Sequence, residues 1–159
     1  MQTLDSRARR VAVTLSALAG FVDALGFLEL GGFFVSFMSG NTTRLGVGLA
    51  EALPQAWIAA GLMLAFTVGV AGGVIVGRRA GPHRATAVLS LTAGLLIVGA
   101  FLSLIPAPMG SGLCLAFAMG GMNAVFEREG RVRVGLTYMT GALVGLGQKL
   151  ADVLTGQRT

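Results

Sequence analysis

Four apolar runs, each near twenty residues long, decide most of what this chain can become. A helix needs about 20 mostly apolar residues to cross the hydrocarbon core of a bilayer. Residues 11–30, 56–76, 85–105 and the shorter 111–126 meet that need. Only 12% of the 159 residues are charged and 54% are hydrophobic, against about one-quarter charged in ordinary soluble domains. The expected fold class is therefore all-α, a polytopic transmembrane helical bundle. The 25 glycines agree, because small residues let membrane helices approach closely where lipid supplies no hydrophobic force between them.

The net charge of +5 does not point to nucleic acid. The basic residues gather in "SRARR", "GRRAGPHR" and "EREGRVR", each flanking an apolar run, which is how cytoplasmic loops set membrane orientation. The start, "MQTLDSRARR" and then a long apolar run without a small-residue cleavage site, is expected to be a retained first span rather than a signal peptide. The expected location is a bacterial cytoplasmic (inner) membrane, multi-pass, with the N-terminus cytoplasmic and the lipid bilayer as the main partner.

Two further segments, 33–50 and 134–154, are apolar in outline but interrupted by polar residues. The first reads "FFVSFMSGNTTRLGVGLA". If all six segments crossed and "SRARR" were cytoplasmic, "GRRAGPHR" would lie outside, against the positive-inside rule. If 33–50 enters and returns on one side, all three basic clusters become cytoplasmic. The re-entrant reading is preferred; the alternative is an ordinary span with one polar face.

The two polar segments also resemble each other. "MSGNTTRLGVGLAE" (38–51) and "MTGALVGLGQKLAD" (139–152) share Met, a hydroxyl residue, Gly, Leu-Gly, Leu-Ala and an acid at a constant offset. Upstream, "GFVDALGF" matches "GGMNAVFE" with a one-residue slip, so Asp23 corresponds to Asn123. Under the re-entrant topology the copies begin on opposite sides, giving an inverted repeat: one membrane domain over 1–159, with repeat one about 11–105 and a partial repeat two about 111–154. Many secondary transporters are built from such repeats, with broken helices meeting at the midplane.

The runs "GFVDALGFLELGGFFVSFMSGNTTRLGVGLA" and "MNAVFEREGRVRVGLTYMTGALVGLGQKLA" resemble the YoaK-type family of bacterial multi-pass membrane proteins of unknown function. Members of that family usually continue for two more hydrophobic helices. The resemblance thus implies either a truncated copy or helices supplied by another subunit. It also implies a Lys where this chain has Gly145. No activity comes with it.

Candidate binding residues follow from the polar interruptions. Ser39 or Asn41 can cap a helix and Gly40 can turn the backbone; a helix starting there would aim its amides at an anionic group. Thr42 extends that set, with Thr140 and Gly141 as weaker partners from the second copy. Asp23 lies roughly 18 Å along the first span at ~1.5 Å per residue. A carboxylate at that depth marks a proton relay, an ion site or a salt bridge, and Arg44 is its expected partner. Lys149, one turn beyond the position matching Arg44, retains a cation on that face of the second copy. The same residues can equally be turn, packing glycine and a fold-holding ion pair.

Trp57 and Tyr138 fit interfacial anchoring. Cys114 reads as a small buried hydrophobe, and His83 has no companions for a metal site. There is no phosphate loop, nucleophile elbow or zinc spacing, so no enzyme, cofactor or metal is expected. The function expected is a small-solute or ion transporter, moving a small anionic solute or proton and acting as a homo-oligomer. A non-transporting membrane scaffold or assembly subunit is the alternative.

Overall fold

The structure is a computed structural model that describes residues 6–106, 108–128, 131–132, 144 and 147. Its helices are α1 (Ser6–Glu29), α2 (Met38–Ala50), α3 (Gln55–Arg79), α4 (Arg84–Leu102) and α5 (Pro108–Asn123). Two-residue strands, Glu127–Arg128 and Arg131–Val132, pair antiparallel just beyond α5. Four helical stretches, in α1, α3, α4 with the turn before it, and α5 with the turn after it, are long and apolar enough to cross a membrane. They coincide with the four expected spans. The chain folds as a polytopic helical bundle.

The contacts fix the helix directions. Gly61 faces Leu113, Gly69 faces Phe117 and Gly73 faces Gly121, so α3 and α5 run parallel. Ser111 bonds Gly99 O, and Arg84 bonds Ala124 O, so α4 runs antiparallel to α5. Leu30, just past α1, meets Gly112 near the start of α5. Ala12, Leu15, Ala19 and Val22 form one stripe of α1 in the same buried cluster as Met119 and Met122 of α5, so α1 also runs antiparallel to α5. One end of the bundle therefore carries Arg9, Arg10, Arg78, Arg79, His83, Arg84 and the strands with Arg128 and Arg131. The other end carries Glu29 and Glu51.

The centre of the bundle is α5, most of whose span is buried while α1, α3 and α4 keep exposed apolar faces. Its packing against α3 rests on backbone touching backbone. A Cβ on Gly69 would overlap Phe117 O, one on Gly120 would overlap Phe66 O, and one on Gly73 would come within 2.6 Å of Gly121 O. Without a hydrophobic driving force inside lipid, such close approach supplies the van der Waals contact that holds helices together. Gly69→Val is expected to lower stability by about 3 kcal/mol, as overpacking against rigid backbone does. Gly94→Ala, on α4 with open space around its Cβ position, is expected to be neutral. Thermal unfolding in detergent compares the two.

Candidate functional site

The site begins where α1 stops. Leu30 N–H still bonds Gly26 O, and Gly32 N–H reaches back to Phe27 O at 2.7 Å, the pattern that closes a helix through a left-handed residue. Gly31 and Gly32 supply it with φ of +65° and +98°. The chain then reverses and runs back along α1 as a non-helical stretch, 33–37, before entering α2.

That stretch reaches the level of Asp23, six residues before the end of α1 and so about 9 Å from it. Non-helical backbone at such depth needs protein partners for its polar groups. Asp23 provides them: Val35 N–H and Ser36 N–H donate to Oδ1 at 2.8 and 2.7 Å, and Ser36 Oγ–H donates to Oδ2 at 2.6 Å. From the other side Asn41 accepts from Phe34 N–H at 3.0 Å and donates through Nδ2 to Phe34 O at 2.6 Å. Asn41 is 0% exposed and Ser36 2%. Two side chains thus do for 33–37 what a neighbouring strand does in a sheet.

α2 leads back out. Gly48 packs on Ala56, and Thr42 Oγ1 lies 4.0 Å from Met63 Sδ, so α2 runs antiparallel to α3. Its 13 residues span about 20 Å, too short for a 30 Å core. The segment 33–50 returns to the end of the bundle it left. The ordinary-span alternative does not describe this geometry.

Three site expectations require correction. Ser39 does not cap α2: the helix starts at Met38, its N-cap position is Phe37, and no side chain caps it. The hairpin pulls Asn41 back onto Phe34, so the polar residues fall inside the first turns instead of ahead of them. Nor do Ser39, Asn41 and Thr42 face one site, because successive helical positions point about 100° apart. Ser39 and Thr42 are exposed, and Thr42 bonds its own helix at Met38 O, 2.9 Å away. Gly40 is a packing glycine: a Cβ would come within 2.7 Å of the Phe34 and Phe37 rings, which meet edge-on at 5.2 Å.

The third correction concerns Asp23 and Arg44, which do not pair. The carboxylate is taken up by Val35 and Ser36, while the Arg44 guanidinium lies over the rings of Phe33 (4.9 Å) and Phe27 (5.9 Å). Asn123, buried in α5, donates to Met119 O one turn back. Thr140, Gly141 and Lys149, and with them the second copy of the repeat and Tyr138, lie outside the described residues. Trp57, 77% exposed near the first turn of α3, sits where an interfacial anchor belongs. Among the described residues no His, Cys, Asp and Glu cluster could hold a metal.

Sequence reasoning missed Ser36 as the ligand of Asp23 and Arg84 as a cap on the far end of α5. Arg84 Nε and Nη2 donate to Ala124 O at 3.3 and 3.1 Å. The first was readable in principle, since "SF" stands directly before the polar run; the second depends on bundle geometry alone.

Residues 11–159 match the family described as "Protein of unknown function (DUF1275)". The chain belongs to that family. It is 38% identical over 153 residues to the "UPF0700 transmembrane protein RA0705" of Rhizobium meliloti (strain 1021), an alignment covering 93% of this chain and 64% of the relative. The chain thus spans about two thirds of the length of the curated relative it matches. No solved structure matches it. The expected YoaK-type membership stands, since that family is of this kind. The protein is a multi-pass membrane protein.

The hairpin's bonds define a test. Asp23→Ala strands two buried amides and a hydroxyl, and is expected to cost about 3 kcal/mol; Asn41→Ala should cost about 2 kcal/mol. Ser39→Ala, exposed, should be neutral. Unfolding in detergent with limited proteolysis of the hairpin reads all three.

Proposed function

We propose that this chain is part of a permease for a small solute, in which the hairpin 33–50 is the element that meets the substrate. The carrying observation is a half-length helix that starts at depth: α1 completes its span and closes on two left-handed glycines, the chain turns back inside, and α2 starts from a non-helical stretch. Broken and half-length helices of this kind form substrate sites in many transporters. The antiparallel course of α1 and α5, which begin the two related segments, supports an inverted repeat. The gathering of arginines at one end of the bundle supports placing that end, with the N-terminus, in the cytoplasm, in the inner membrane of a bacterium.

One observation favours the alternative of a non-transporting scaffold. Asp23 and Asn41 spend their hydrogen bonds on the hairpin itself, and among the described residues no buried side-chain polar atom lacks a partner. In the permease reading Asp23 holds the hairpin and does not carry the proton.

A removable lock separates the two. A Cβ on Gly26 would stand 3.7 Å from Val35 Cβ, inside the 3.5–4.5 Å range of disulfides. With Cys114→Ala, Gly26→Cys and Val35→Cys, oxidation should pin the hairpin to α1. In proteoliposomes screened against small organic anions and cations, a permease should lose flux on oxidation and regain it with reductant. Absence of flux for every solute before oxidation, with the protein folded, would support the scaffold. In the same background, single cysteines at Gly31 and Glu51 should label from one face and His83→Cys from the other.

A further inference from the structure

Among the described residues Arg44 is a cation without a counter-ion. It lies in α2 six residues before Ala50, about 9 Å inside the helix end, and is half-buried. Asp23 is occupied elsewhere, and among the described residues no carboxylate pairs with the guanidinium and no acceptor bonds it. What it does have is support. Its Cζ lies over the rings of Phe33 and Phe27, a cation–π contact that holds the guanidinium in place. The backbone makes room for it as well: a Cβ on Gly32 would come within 2.5 Å of Nη2, so the glycine that turns the chain also clears the space beside the cation.

The contact with the rings uses none of the guanidinium's hydrogen-bond donors, and those donors form a rigid fork suited to a carboxylate or phosphate. None of the unbonded guanidinium nitrogens is sealed from the surface, so an anion from outside the described residues can reach them. Glu29 and Glu51 share this end of the bundle but make no ion pair with it.

We infer that Arg44, backed by Phe33, Phe27 and Gly32, is an oxyanion-binding site at the mouth of the hairpin. Its ligand is a group of phosphate or carboxylate chemistry, carried by a lipid headgroup or by a soluble anion. The site goes beyond the permease reading, because a bound lipid phosphate satisfies it without any transport. Binding and flux are therefore measured separately, and a failed flux screen leaves the site standing.

The full chain in a maltoside detergent, whose headgroup carries neither phosphate nor carboxylate, is titrated with inorganic phosphate and, separately, with acetate. In the other arm, phosphatidylglycerol is added to the same detergent. The melting temperature is read in each. Wild type is expected to be stabilised in at least one arm, the soluble arm marking a solute site and the lipid arm a headgroup site. Arg44→Gln should lose that gain, with apparent affinity at least about tenfold weaker, while melting as wild type does in the detergent alone. Should the Gln variant fail to fold, Arg44→Lys keeps the charge without the fork and should still bind more weakly than wild type. The site is overturned if wild type gains nothing in either arm, if Arg44→Gln gains as much as wild type, or if Lys binds as well as Arg.

Discussion

Everything distinctive in this structure depends on the requirement that backbone amides inside an apolar medium find acceptors. A helix meets the requirement by itself. When α1 ends at Glu29 and the chain turns back instead of continuing, the amides of 33–37 lose that provision, and only side chains already present at that depth can replace it. Asp23 is therefore best understood from the viewpoint of Val35 and Ser36. A carboxylate is expensive within a span, but its two oxygens accept three hydrogen bonds from a segment that has few other acceptors near it. The cost of the charge and the cost of the bare amides offset one another.

The same requirement explains the arrangement around it. Asn41 is the one residue of the "SGNTT" run whose donor and acceptor sit on separate atoms, so its amide can match Phe34's N–H and C=O together. Gly40 beside it lets the Phe34 and Phe37 rings close over the turn. Ser39, Thr42 and Thr43 are left to face outward, with both threonines bonding carbonyls of their own helix, Met38 O and Ser39 O. A run that looks like one polar site divides, residue by residue around the helix, into one structural clamp, one packing contact and three outward-facing groups, two of them bonded to their own helix.

This division marks the limit of what the chain's letters disclose. The spans were legible because length and hydropathy act locally, and the return of 33–50 was legible because three arginine clusters must be reconciled with one rule. The pairing of Asp23 was not. Charge complementarity pointed to Arg44, but the carboxylate was captured by amides only twelve and thirteen residues away, whose need for an acceptor arises from a turn at Gly31 and Gly32 that hydropathy does not register. The parallel contact of α3 with α5 was foreshadowed by glycine content but not by position: Gly69, Gly73 and Gly120 differ from Gly94 only through what lies opposite them.

The two segments that resemble each other in sequence differ at the positions where the clamp is made. At the constant offset, Gly40 recurs as Gly141 and Ser36 as Thr137, but Ala142 stands where Asn41 does, and Asp23 corresponds to Asn123. Alanine has no amide with which to hold a backbone peptide, and an asparagine brings one acceptor oxygen where a carboxylate brings two. The first copy thus carries the chemistry of a fixed hairpin, and the second carries a reduced set of the same groups. The hold that Asp23 and Asn41 place on 33–37 is therefore written into one of the two segments and not repeated in the other. That asymmetry can be read from four residues alone.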